Sequence, residues 1–310
     1  MEERRVADPE VAGSSPAGRT TFIFMFIFIT GKGGTGKSLI SIILSNLLAD
    51  KGKTILYFPH NFVSPLYSLL SNKVLLYPLD YEKEAKEYVK LKLKLFVLWM
   101  PLVRSQVFRA FQKVIPGFTE LIYLGKMWYD WEKRKADFYI FDAPPTGQIL
   151  SMLNIPKAGL ESGASGPVRS DLQSMAEFVK KINIIIVSLP EQLPLEETQE
   201  TIEHMKENNF LPRAIILNKF YKSQIPEEDK KWINSILVEG KLKTREKKEL
   251  SSLLRFDDFY STNSQKLLLE YTKFGIPVFT VDLSLNGITP VFVRSSGESL
   301  VRASLFSHLS

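Results

Sequence analysis

The sequence contains no cysteine. That absence removes disulfides, zinc clusters built on Cys, and thiolate sites for soft metals or metalloids. The apolar segment that could pass for a targeting signal, Thr21–Ile29, follows Arg4, Arg5 and Arg19. It is far shorter than the ~20 residues a spanning helix needs. A secretory leader would also end in a small-residue cleavage site, whereas this run is followed by a loop rich in glycine and lysine. A cytoplasmic protein without membrane spans is therefore expected. Charge of one sign is not concentrated either. Lys and Arg number 40 against 34 Asp and Glu, a net charge of +6, and the densest basic stretch, Lys241–Lys248, is short and contains an acid. A solvated basic face is the expectation, and no specific nucleic-acid partner. The last absence is local: no Asp or Glu occurs between Lys51 and Leu79.

What is present is an ordinary globular composition, 310 residues with 45% hydrophobic and 24% charged side chains, enough for a large core. Short β-rich runs alternate with longer helical patterns, which predicts an α/β fold: a doubly wound, mostly parallel sheet flanked by helices. The expected strands are Phe22–Thr30, Thr54–Phe58, Asp137–Phe141, Ile182–Leu189, Arg213–Asn218 and Pro277–Leu283. The first reads as a continuous apolar run because a central strand is covered on both faces. Ile40, Ile43, Leu44, Leu47 and Leu48 recur at helical spacing after it, and the pattern stops near Asp50-Lys51-Gly52. Residues 66–135 exceed what a βαβ connection needs and read as a helical insertion in a domain spanning 21–310. Helical spacing recurs there at Val107, Ala110, Phe111 and Val114, and again at Leu121, Leu124, Trp128 and Trp131. Leu91–Met100 is read as helical, and Leu91–Val103 as a candidate apolar surface. Residues 1–20 have nothing to pack and read as a disordered tail, with Met25 a candidate true start. Pro290–Arg294 reads as a short strand.

The stretch Gly31-Lys32-Gly33-Gly34-Thr35-Gly36-Lys37-Ser38 fits the pattern G-x-x-x-x-G-K-[ST] between a buried strand and a helix. That context makes it a phosphate-binding loop, the signature of a P-loop NTPase. The glycines let successive N–H groups turn toward phosphate oxygens, and the following helix aims its positive end there. Lys37 is placed to reach the β and γ phosphates of ATP, and the Ser38 hydroxyl to hold Mg. At the end of the third expected strand, Asp142 opens Asp142-Ala143-Pro144-Pro145-Thr146-Gly147, where a magnesium-linked acid belongs.

These motifs, with Leu189-Pro190-Glu191 through Thr198 and Ile215–Asn218, resemble the arsenical-pump-driving ATPase (ArsA) family. That family includes ATPases that target tail-anchored membrane proteins, and is similar more distantly to MinD. The resemblance runs from about residue 25 to about 285. It implies an ATP-binding dimer in which the early lysine of a deviant Walker A loop, here Lys32, reaches across to the phosphates of the other chain. It also implies that Asn218 recognises adenine, and that ATP and Mg switch the binding of a client or membrane partner. Homodimer and heterodimer with a related ATPase both stay open.

Two departures stand against the pattern. Active members of the family carry an acid after the second strand to handle the attacking water, and this chain has none from Lys51 to Leu79. His60 and Asn61 are the candidate substitutes. Hydrolysis is then slow, supplied by a partner, or absent, in which case the chain is a non-hydrolysing regulatory or structural subunit. The thiolates that bind metalloid or clip dimers in some members are missing as well, and a chaperone for hydrophobic segments is the remaining alternative.

Overall fold

The computed structural model describes residues 24–61, 63–92, 117–163, 165–240 and 242–309. Seven strands form one sheet in the order β3-β2-β4-β1-β5-β6-β7: β1 (Met25–Thr30), β2 (Thr54–Pro59), β3 (Val74–Leu79), β4 (Phe138–Asp142), β5 (Ile182–Ser188), β6 (Ala214–Phe220) and β7 (Val278–Asp282). Every pairing is parallel. The helices among the described residues are α1 (Lys37–Ala49), α2 (Tyr81–Lys92), α3 (Phe118–Glu132), α4 (Thr146–Glu161), α5 (Gly166–Val179), α6 (Gln192–Glu207), α7 (Glu227–Glu239), α8 (Thr244–Thr272) and α9 (Pro290–Arg302). The fold is the expected α/β P-loop NTPase architecture.

Alternation along β1 explains how the sheet is sandwiched. Phe26 and Phe28 join a core with Tyr57, Tyr139, Phe141 and Phe178, whereas Met25, Ile27 and Ile29 join a second core with Leu39, Ile43 and Leu300. Both faces are thus dry, so β1 reads as unbroken apolar sequence. Order reverses at β1: β4 lies on one side and β5 on the other, with β2 and β3 beyond β4. In open parallel sheets ligands bind at such a reversal, beyond the carboxyl ends of the strands. The loop after β1 opens there.

The span 66–135 holds more than helices. β3 pairs with β2 in register from Thr54–Val74 to Pro59–Leu79 and adds an edge to the sheet. Pro78 within it hides the strand from sequence reading, and an edge position is where such a proline is tolerated. α2 and α3 are tied by Lys126, whose ammonium lies 3.7 Å from Glu84, 3.4 Å from Glu87 and 3.4 Å from Asp130. Leu124 and Trp128 are buried as their spacing predicts. The predicted helix through Val107–Val114, the surface Leu91–Val103 beyond Lys92, and residues 1–20 lie outside the described residues.

Pro290–Arg294 is a correction: it opens α9 rather than forming a strand. Pro290 occupies the first helical turn and the Thr289 hydroxyl accepts from the Phe292 N–H, so capping overrides the β-branched composition. Among the described residues no helix is long and apolar enough to cross a membrane.

Candidate functional site

The loop between β1 and α1 follows from two glycines that no other residue could replace. Gly31 has φ of 148°, and a Cβ there would meet the Val187 carbonyl oxygen at 2.1 Å. Gly36, the N-cap of α1, has φ of 94°, and its Cβ would meet the Asn218 amide nitrogen at 2.1 Å. Both take the left-handed region that favours glycine. The Thr35 hydroxyl closes the loop by donating to the Lys32 carbonyl at 3.0 Å, and Lys37 Nζ donates to the same oxygen at 3.0 Å. Lys37 thus folds over the loop, at the N-terminus of a helix, where a phosphate would take its place as partner. Burial lowers the Lys37 pKa, and the Asp142 carboxylate opposes that shift.

Asp142, the last residue of β4, is buried beside the loop. Burial raises its carboxyl above the usual range; interactions with Ser38, Tyr67, Lys37 and Ser41 counteract this only in part. A half-compensated carboxylate in a cleft is poised for a cation. The cleft, about 330 Å³, is lined by Gly33, Gly34, Gly36, Lys37, Ser38 and Asp142, by Pro59 at the end of β2, and by Ser64 and Leu66 from the connection after it. Ser38 and Asp142 are hard oxygen donors, and among the described residues no cluster of three or more His, Asp or Glu offers a full protein cage. That donor set fits Mg, which keeps waters and phosphate oxygens in its shell.

Lys32 and Asn218 are placed differently. Lys32 is half-exposed, with its ammonium 3.3 Å from Glu197 of α6 in the same chain. Asn218, buried, donates its amide nitrogen to the Thr35 carbonyl at 2.8 Å, so it braces the loop. The register of β6 against β7 is irregular between Leu217 and Phe220, and Lys219 there takes φ of 55°, a conformation rare for a residue with a side chain.

Sequence reasoning missed Tyr67. It sits on a 3-10 helix, Pro65–Leu69, in the stretch without acids, and its hydroxyl donates to Asp142 Oδ2 at 2.7 Å. Burial, with Asp142 beside it, pushes the phenol well above its ordinary value, so it donates and cannot act as a base. His60 and Asn61 are exposed at the turn after β2, outside the lining of the cleft. No local motif marks Tyr67; only the mutual placement of β2, β3 and β4 does.

Residues 26–258 match the CobQ/CobB/MinD/ParA nucleotide-binding domain. The chain is 25% identical over 226 residues to ATPase BagA of Mycobacterium tuberculosis, covering 65% of this chain and 66% of that one, just under two thirds of the relative's length. It is 23% identical over 292 residues to a protein of Aquifex aeolicus named for an arsenical pump-driving ATPase, 79% of this chain and 92% of that one. It is also 23% identical over 299 residues to an ATPase ASNA1 homolog of Cryptosporidium parvum, 80% of this chain and 76% of that one. With a phosphate loop, a strand-end acid and a match across most of its length, the chain belongs to the CobQ/CobB/MinD/ParA nucleotide-binding family.

Proposed function

We propose that the protein is a magnesium-dependent ATPase that works as a pair of chains in the cytoplasm and uses ATP to switch its affinity for a client or membrane partner. The observation that carries this reading is the meeting of Lys37, Ser38 and Asp142 in one cleft at the reversal point of the sheet. In it, the N–H groups of Gly33–Lys37 and the Lys37 ammonium bind the β and γ phosphates. Ser38 and Asp142 hold Mg, which neutralises phosphate charge when bound. Asn218 keeps the loop braced behind the nucleotide through its amide nitrogen, which leaves its amide oxygen for the base. Lys32, half-exposed and held only by the Glu197 carboxylate among its described charge partners, swings to the phosphates of a second chain, homomeric or related. Water attacks the γ phosphorus and the β–γ bridging bond breaks, leaving ADP and phosphate. With Tyr67 neutral, Asp142 committed to Mg and no acid from 51 to 79, the cleft has no dedicated base for that water, so turnover is slow.

The same observation favours a second reading, a nucleotide-binding subunit that does not hydrolyse. Steady-state phosphate release decides between them. Magnesium-dependent release is expected, falling at least ~100-fold in Lys37→Ala. Tight ATP binding with release no faster than that variant's would overturn the enzyme reading.

A further inference from the structure

The connection from β2 to β3 is held at several points from Ser64 onward. The Ser64 hydroxyl caps the 3-10 helix by accepting from the Leu66 N–H at 3.3 Å. Asn46, on α1, grips its other end: its amide nitrogen donates to the Leu69 carbonyl at 3.0 Å, and its oxygen accepts from the Ser71 N–H at 2.8 Å. Phe58 packs on the Tyr67 ring with centroids 4.8 Å apart. The helix that carries the phosphate loop therefore also clamps the segment that presents Tyr67, and the phenol has little freedom to leave Asp142.

We propose that Tyr67 is a positioning residue for the magnesium site: its fixed hydroxyl holds Asp142 Oδ2 and so keeps the carboxylate in one orientation toward the cation's shell. This rests on the reading of Asp142 as the magnesium acid. The physical reason is general. A buried carboxylate with one oxygen tied by a rigid donor has one orientation, and partners of this kind around a metal site are worth about 10–100-fold in metal affinity. Tyr67 thus gives the connection a task in cation binding although it carries no acid.

The test is binding of a fluorescent ATP analogue titrated with magnesium chloride, in wild type, Tyr67→Phe, Asp142→Asn and the double variant. Tyr67→Phe is expected to raise the half-saturating magnesium concentration about tenfold, with analogue affinity in EDTA unchanged, which also reports that the loop is folded. Asn46→Ala, which loosens the clamp without touching Asp142, is expected to shift the midpoint the same way by a smaller factor. In the Asp142→Asn background Tyr67→Phe is expected to change nothing. A midpoint unchanged or lowered by Tyr67→Phe, beside an Asp142→Asn that does respond, overturns the proposal alone. An Asp142→Asn without effect on the magnesium requirement overturns the reading beneath it as well.

Discussion

Two buried aspartates, at two places in the molecule, differ in how far their surroundings compensate the charge. Asp142 is 7% exposed and Asp257, on α8, is 1% exposed. Asp257 is saturated. Its Oδ1 accepts from the Tyr221 hydroxyl at 2.9 Å and the Gln224 N–H at 2.8 Å, while its Oδ2 accepts from the Ser223 hydroxyl at 2.5 Å and pairs with Lys230 at 2.9 Å. Burial pushes this carboxyl up, but these donors win and hold it below the usual range. At Asp142 burial wins over Ser38, Tyr67, Lys37 and Ser41, and the carboxyl is raised. A charge that the fold compensates fully is locking α7, α8 and the chain after β6 together. A charge compensated only in part is the one we propose takes a cation.

The largest expected break of this contrast is Asp257→Asn. Among the described residues it leaves Lys230 with the exposed Asp258 and Glu227, and should destabilise the protein by about 3 kcal/mol, read as a lower melting midpoint in denaturant, with nucleotide affinity little changed. A midpoint within experimental error of wild type would show that the Asp257 knot holds nothing. Acid sharpens the comparison at intermediate size. The folded pKa of Asp257 lies below its unfolded value of ~3.9, so its stabilisation is complete above that value and drains as pH falls through it. Asp142 carries the opposite sign: it penalises the fold as pH rises through its raised pKa, and the penalty vanishes below ~3.9. Melting temperatures followed from about pH 5 to about pH 3 should therefore fall less steeply in Asp257→Asn than in wild type. The smallest effect is Asp142→Asn at neutral pH, which removes a partly compensated buried charge and should leave thermal stability equal or slightly higher. A large loss there would make Asp142 a structural residue like Asp257.

The two aspartates also mark what could be read from sequence. Asp142 ends an apolar strand and precedes Pro-Pro-Thr-Gly, and the loop that contains Lys37 and Ser38 is contiguous, so local pattern sufficed for both. Six strands were legible because their apolar runs are interrupted by turn residues. β3 was not, since Leu75 is exposed and Pro78 breaks its pattern, and its existence depends on β2 as a template. Asp257 and Lys230 lie on different helices and Tyr67 lies far in sequence from Asp142, so neither partnership leaves a local trace. Lys32 shows a different limit. Its place in the loop was evident, but the carboxylate it rests on, Glu197, sits at a helix position that periodicity alone does not distinguish.

The placement of β1 at the middle of the sheet has a kinetic consequence. Met25 pairs with Phe138, and Phe26 with Ile182, both far downstream. Closing such long loops takes conformational entropy before any neighbouring strand can repay it, so topologies of this kind fold slowly. β1 leaves the ribosome before β4 and β5, and both its edges stay unpaired until they arrive. Crowding and chaperone supply should therefore govern the yield of this protein more than its final stability does.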